Sequence, residues 1–196
     1  MSEPEFSLSP ENLDLANRYI ARYPPGRQAS AILPVLDIAQ RQNRGWLSPE
    51  AVACVAEMLD MPLIRVYEVI SFYEMLHSKP VGEHMVRVCT TTPCMLRGST
   101  EILAACTEEL GIAAGETSSD DKFTLAEFEC LGACVNAPIV WIDDDYYEDL
   151  DPDRIRAILK ALRAGERPRP GSQTGRQNSA PVGVWTTLGG GAGEGA

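Results

Sequence analysis

Two cysteine pairs, Cys89-x4-Cys94 and Cys130-x3-Cys134, set the tightest limit on how this chain can fold. Residues 95–129 lie between them, so two loops far apart in sequence must meet if the four sulfurs are to act together. Four converging thiolates are the ligand set of a [2Fe–2S] cluster, in which each iron takes two sulfurs from the protein. They are equally a ligand set for structural zinc, whose paired cysteines stand roughly two to four residues apart. The x4 and x3 spacings make wider loops than the tight turns zinc favours, which tilts the reading toward iron and sulfur. A thioredoxin-like Cys-x-x-Cys is missing, so a redox dithiol is a poorer fit. Cys54 and Cys106 match no ligand spacing and fall in predicted helices, where free cysteine packs as a small hydrophobe.

At 196 residues with 44% hydrophobic content, the chain can bury one large core or two small ones. A net charge of −11 excludes a nucleic-acid binder, because no basic face exists to displace counterions from phosphates. It also argues against adsorption to an anionic membrane surface. The opening Met1-Ser2-Glu3-Pro4-Glu5-Phe6 carries no basic stretch followed by an apolar run, and no segment approaches the roughly 18 apolar residues of a spanning helix. A cytosolic, reducing setting is therefore expected, in which six cysteines stay free of disulfides.

Residues 1–80 read as helices only. Ser9-Pro10-Glu11 gives an N-cap followed by proline in the first turn, after which Leu13, Ala16, Ile20 and Tyr23 recur at helical spacing. Pro24-Pro25-Gly26 stops that helix. A second starts near Ser30 and ends around Arg44-Gly45, Ser48-Pro49-Glu50 starts a third, and Pro62 opens a fourth carrying Leu63, Val66 and Ile70. Short loops and single apolar stripes predict a small antiparallel bundle.

The period changes after Pro80. Val86 and Val88 alternate with Arg87, predicting a strand that delivers Cys89 at its end. Residues 99–110 predict a helix stopped by Gly111. Residues 123–130 and 138–142 predict strands, Tyr146-Tyr147 a last edge strand, and Pro152 opens a closing helix ended by Gly165. The expected fold is α/β: a thioredoxin-like domain over 81–165, preceded by an N-terminal helical bundle over 1–80. Residues 166–196 hold eight glycines and three prolines and predict a flexible tail, with Val182, Val184 and Trp185 as anchors for a partner.

Residues 81–165 carry seven Lys/Arg against sixteen Asp/Glu, a local net charge of −9. A four-thiolate cluster is itself roughly −2 oxidised and −3 reduced, so acidic surroundings predict a low reduction potential. Donors to its sulfurs are expected from backbone at Gly98 and Gly132 and from the hydroxyls of Thr90, Thr91 and Thr92, with Met95, Leu96, Leu131 and Val135 shielding it. His77 and His84 are expected to be surface or capping residues, and Asp143-Asp144-Asp145 an acidic turn. Arg97 fits either a surface ion pair or a partner contact.

The runs from Val88 to Arg97 and from Glu129 to Pro138, with Ser71-Phe72-Tyr73 and Tyr146-Tyr147-Glu148-Asp149-Leu150, resemble the small [2Fe–2S] subunits of respiratory complex I. The likeness runs from the helical segment to about Arg176. It implies a thioredoxin-like [2Fe–2S] ferredoxin domain in which Cys89, Cys94, Cys130 and Cys134 are all ligands of one cluster. It also implies a non-catalytic electron-transfer subunit of NADH–quinone oxidoreductase, whose cluster exchanges an electron with FMN. FMN and NADH would sit on the flavoprotein partner subunit, with further iron–sulfur subunits beside it. This chain has no G-x-G-x-x-G after a strand and no P-loop. On this resemblance the protein is cytoplasmic, peripheral to the inner face of the cell membrane through its complex. The same module in a soluble NAD-linked hydrogenase or formate dehydrogenase, or a stand-alone ferredoxin or zinc scaffold, is the alternative.

Overall fold

The computed structural model describes residues 6–177 and Ser179. The chain divides into two compact units, with the division between Val81 and Gly82.

The first unit is helical: α1 (Pro10–Ile20), α2 (Ile32–Gln42), α3 (Pro49–Met58) and α4 (Leu63–Phe72), with a 3-10 turn at Gln28–Ala31. The expected start signals are in place. Ser9 Oγ accepts the Asn12 N–H at 3.3 Å and Ser48 Oγ accepts that of Ala51 at 3.2 Å, each ahead of a proline in the first turn. Leu36, Leu47, Val52, Val55, Leu59 and Val66 form the core. Buried Gln40 is satisfied at both ends, donating to Met75 O at 2.9 Å and accepting from His77 N–H at 2.7 Å. The apolar stripes are narrower than predicted, however. Leu13, Tyr23 and Leu63 remain 42%, 40% and 47% exposed, because on α1 only the small Ala16 is fully covered and α4 buries only Val66 and Ile70.

The second unit is an α/β layer. Its strands are β1 (His84–Cys89), β2 (Phe123–Phe128), β3 (Val140–Ile142), β4 (Asp145–Glu148) and β5 (Gly171–Ser172), in spatial order β2-β1-β3-β4-β5. The pair β1/β2 is parallel, β1/β3 and β3/β4 are antiparallel, and β4/β5 is parallel. Three helices join them: α5 (Thr92–Leu96), α6 (Ser99–Leu110) and α7 (Pro152–Arg163). Alternation along the strands sends Val86, Val88, Phe123 and Leu125 into a core with Ile102 of α6 and Ile155 and Leu159 of α7. The other parity of β1 to β4 carries Arg87, Phe128, Trp141 and Tyr146. There the Arg87 guanidinium lies 4.1 Å from the Trp141 ring centre, and burial pulls its pKa down to about 10. Of the expected acidic turn, Asp143 and Asp144 do join β3 to β4, while Asp145 is the first residue of β4. Asp143 accepts the Met85 N–H at 2.9 Å and pairs with His84 Nδ1 at 2.7 Å, a bond that raises the histidine's pKa.

One expectation needs correction. The strand at Tyr146-Tyr147 is not the sheet's edge, since β5 pairs alongside it with Tyr147 opposite Gly171 and Glu148 opposite Ser172. Of the stretch after Gly165, Gly171 and Ser172 thus join the sheet. A two-residue strand beside Pro170 has no periodicity to read, which is why only pairing reveals it. The proposed anchors Val182, Val184 and Trp185 lie outside the described residues. Among the described residues, no helix is long and apolar enough to cross a membrane.

Gly82 opens the second unit where β2 approaches most closely. A Cβ there would fall 2.7 Å from both the backbone N and C of Phe123, while the Gly82 N–H donates to Thr124 Oγ1 at 2.7 Å. Gly82→Ala is expected to destabilise the protein by about 1–3 kcal/mol through backbone displacement, measured by denaturant titration. An unchanged midpoint would show that the strand can shift freely.

Candidate metal centre

Cys89 is the last residue of β1 and Phe128 the last of β2; the two are register partners in the parallel pair. Both cysteine loops therefore leave the sheet at the same end. The Thr90 N–H donates to Phe128 O and the Cys89 N–H to Ile139 O, each at 3.2 Å, holding the first loop between β2 and the approach to β3. Cys94 sits within α5, whose first turn contains Pro93. Cys130 lies two residues beyond β2, and Cys134 begins a 3-10 turn at Cys134–Asn136.

All six cysteines are free thiols. Cys130 and Cys134 sulfurs stand 3.4 Å apart, and the Thr91 hydroxyl lies 3.4 Å from the Cys89 sulfur. Electrostatic influence runs within and between the loops: Cys89 raises the pKa of Cys94, the Leu131 backbone favours the Cys89 thiolate, and Thr91 favours that of Cys130. Thr91 is the N-cap residue of α5, yet its hydroxyl caps no helix amide and turns to sulfur instead. Among the described residues, no three His, Cys, Asp or Glu side chains gather on one ion-sized point.

The pairs differ in exposure and proton affinity. Cys89 and Cys94 are buried, at 1% and 0% exposure, whereas Cys130 is exposed and Cys134 half-buried. Burial opposes ionisation of Cys89, but the Thr91 hydroxyl and the Leu131 and Thr91 backbone N–H groups outweigh it and lower the pKa. Cys94 is pushed up to about 12 by burial and by its bond to Cys89. In the second pair the Gly132 N–H and the Cys134 thiol lower Cys130, while Cys130 and burial raise Cys134. Each pair thus holds one sulfur that ionises readily and one that keeps its proton. Metal binding here must displace the protons on Cys94 and Cys134.

The structure places the four cysteines singled out from the sequence in two loops at one end of the sheet and leaves the other candidates elsewhere. Cys106 is fully buried under the sheet, its pKa pushed up to about 12 by burial, and half-buried Cys54 belongs to α3. His84 is bound to Asp143, and His77 lies in the helical unit. The shielding expected from four apolar side chains is not provided by three of them. Met95, Leu96 and Val135 are 53%, 76% and 67% exposed, because α5 is too short to tuck its outer face under anything. Only Leu131 packs inward, beside Cys89, Cys94, Ala137 and Ile139, with its carbonyl accepting from Tyr146 Oη at 3.1 Å. Gly132 contributes through its backbone at φ 80°, not through tightness, since a Cβ there would meet nothing. Gly98 instead caps α6 from φ 99°. Arg97 is exposed and, among the described residues, makes no ion pair. The signal that sequence reading missed is Tyr146, which supports the second loop from β4.

Residues 16–163 match the family described as thioredoxin-like [2Fe-2S] ferredoxin, a span that includes both units. The chain is 57% identical over 158 residues to an NADH-quinone oxidoreductase subunit of Rickettsia bellii, covering 81% of this chain and 95% of that one. It is 47% identical over 184 residues to the NADH dehydrogenase [ubiquinone] flavoprotein 2, mitochondrial, of Dictyostelium discoideum, covering 93% of this chain and 74% of the relative. Among solved structures it shares a fold with an NAD+-reducing [NiFe]-hydrogenase, at TM-score 0.58 and 21% identity; the likeness covers 66% of this chain and spans 23% of the hydrogenase chain.

In the metal-free chain the thiols are expected to react with iodoacetamide in a fixed order. Cys130, exposed and with lowered pKa, reacts first and at a pH below the ordinary thiol range; Cys94 and Cys106 react last. Peptide mass mapping of a timed alkylation checks the order, and equal labelling of Cys94 and Cys130 would contradict the assignment.

Proposed function

The chain belongs to the thioredoxin-like [2Fe–2S] ferredoxin family, and from that premise we propose that it is the electron-transfer subunit of a complex I-type NADH–quinone oxidoreductase. Its one [2Fe–2S] cluster exchanges single electrons with the FMN of a flavoprotein partner subunit. Cys89 and Cys94 would bind one iron, and Cys130 and Cys134 the other. The observation that carries this reading is the parallel pairing of β1 with β2, which delivers both cysteine loops to one end of the sheet. The Thr91 hydroxyl stands 3.4 Å from the Cys89 sulfur, and the Leu131 and Gly132 backbone favours the thiolates of Cys89 and Cys130, so negative charge is met by donors.

The chain's own part is to hold and tune rather than to transform a substrate, which makes it a non-catalytic subunit of an oxidoreductase. NADH and FMN belong to the partner, with further iron–sulfur subunits of the complex beyond it. Exposed Cys130 and half-buried Cys134 offer the short approach that electron exchange requires. The place of action is cytoplasmic, at the inner face of the cell membrane through the complex. A soluble NAD-linked hydrogenase or formate dehydrogenase would use a similar module. The likeness to the Rickettsia bellii oxidoreductase subunit spans 81% of this chain and 95% of that relative. That extent favours the respiratory assignment over those enzymes and over a stand-alone ferredoxin or zinc scaffold.

Replacing Cys89, Cys94, Cys130 or Cys134 singly by serine is expected to abolish or shift the optical and paramagnetic signature of the dithionite-reduced protein, with circular dichroism unchanged. A wild-type signature in any of the four variants removes that residue from the ligand set. Redox titration is expected to give a negative midpoint potential, since residues 81–165 carry a net charge of −9. A clearly positive potential would refute the electrostatic argument.

A further inference from the structure

The segment after Gly165 closes on the cysteine-bearing loop from outside. The Arg176 guanidinium donates through Nη2 to the side-chain oxygen of Asn136 and, at 3.4 Å, to Val135 O, while Nη1 stands 3.5 Å from Asp149 Oδ1. Arg176 and Asp149 side chains are only 14% and 10% exposed, so this pair is largely withdrawn from water. Asn136, 4% exposed, is the node: its Nδ2 donates to the Glu148 carboxylate and its carbonyl accepts the Asp149 N–H at 2.7 Å. Ser172 completes the link, donating to Asp149 Oδ2 at 2.6 Å and accepting the Arg176 N–H at 3.3 Å. The β4/β5 pairing and the Gln173 N–H to Glu148 O bond, at 3.0 Å, fasten the same segment to the sheet.

We propose that residues 166–177 form a latch holding the loop from Cys130 to Asn136 in ligand position, with Arg176 as its positioning residue. The inference rests on the reading of Cys130 and Cys134 as cluster ligands. Asn136 is two residues from Cys134 on one short turn, so whatever fixes Asn136 fixes the direction of the Cys134 sulfur. The loop's other holds come from β4 and the residue that follows it, through Tyr146 on Leu131 O and through Glu148 and Asp149 on Asn136. Cys130 and Val135 are exposed, and a cavity of about 500 Å³ separates Gly132 and Ala133 from Arg169 and Pro170. The latch therefore supplies from forty residues away in sequence what the loop cannot supply for itself. Arg176 acts through position rather than as a charge on the sulfurs, because Asp149 neutralises it. The two guanidinium nitrogens reach acceptors on both sides of the gap, which a single ammonium cannot do.

The test compares wild type, Arg176→Gln, Arg176→Lys and Ser172→Ala in the full chain. In the cluster-loaded protein, R176Q is expected to lose the cluster to a chelator about tenfold faster or more, as loss of an outer-shell partner does elsewhere. R176K should be intermediate, S172A milder than R176Q, and the midpoint potential unchanged. In the metal-free chain, R176Q and S172A should label Cys134 with iodoacetamide faster than wild type, while Cys106 labelling stays the same. That second arm reads the latch without any cluster, so its outcome is separate from the ligand assignment. Where R176Q fails to fold by circular dichroism, S172A carries both measurements. Wild-type Cys134 labelling and wild-type cluster retention in the folded variants would overturn the latch. So would a shifted potential with unchanged retention, which would make Arg176 a charge on the cluster instead.

Discussion

Everything at the cysteine site depends on the parallel pairing of β1 with β2. Two strands in parallel register end on the same side, so the chain that follows each emerges at one edge of the sheet. An antiparallel pair would have sent the loops to opposite ends. Parallel neighbours cannot be joined by a tight turn, and the helical crossover through α5 and α6 fills the interval between the cysteine pairs. The long separation that makes the motif look scattered in sequence is thus what a parallel pairing requires.

From that edge the two loops take different roles. The first is drawn inward: Cys89 still belongs to β1, and Cys94 is buried in a one-turn helix braced by backbone bonds to β2 and to Ile139. The second stays at the surface and depends on neighbours, with Tyr146 of β4 behind Leu131 and the β5 segment behind Asn136. A buried pair gives a site rigidity and a low local dielectric, and an exposed pair gives it a short path to a partner. The arrangement suits a centre that must change charge by one without moving its ligands.

The family span, residues 16–163, runs from within α1 through α2 to α4 and on through strands β1 to β4. The helical unit has its own core and its own satisfied buried polar group in Gln40, so it stands as a folded piece rather than a linker. Its exposed Ile64, at 65%, and Phe72, at 76%, are apolar surface on a unit that brings no cysteine pair to the centre.

What local chemistry could determine was legible from the residues. Caps at Ser9 and Ser48, prolines in first turns, glycine stops at Gly111 and Gly165, and alternation through Val86 and Val88 all act within a few residues, and the structure bears them out. The two cysteine pairs stood out equally plainly by their spacing, and the structure puts both in loops at one end of the sheet. Which side chains turn outward, that Thr91 serves sulfur rather than capping its helix, and that β5 closes the sheet beside β4 were decided only by tertiary structure. Those features arise from contacts between segments tens of residues apart, where a two-residue strand or a single arginine leaves no periodic mark in the sequence. Short-range hydrogen bonds and hydrophobic periods are written along the chain, whereas the grip of Arg176 on Asn136 exists only once the sheet has brought the two together.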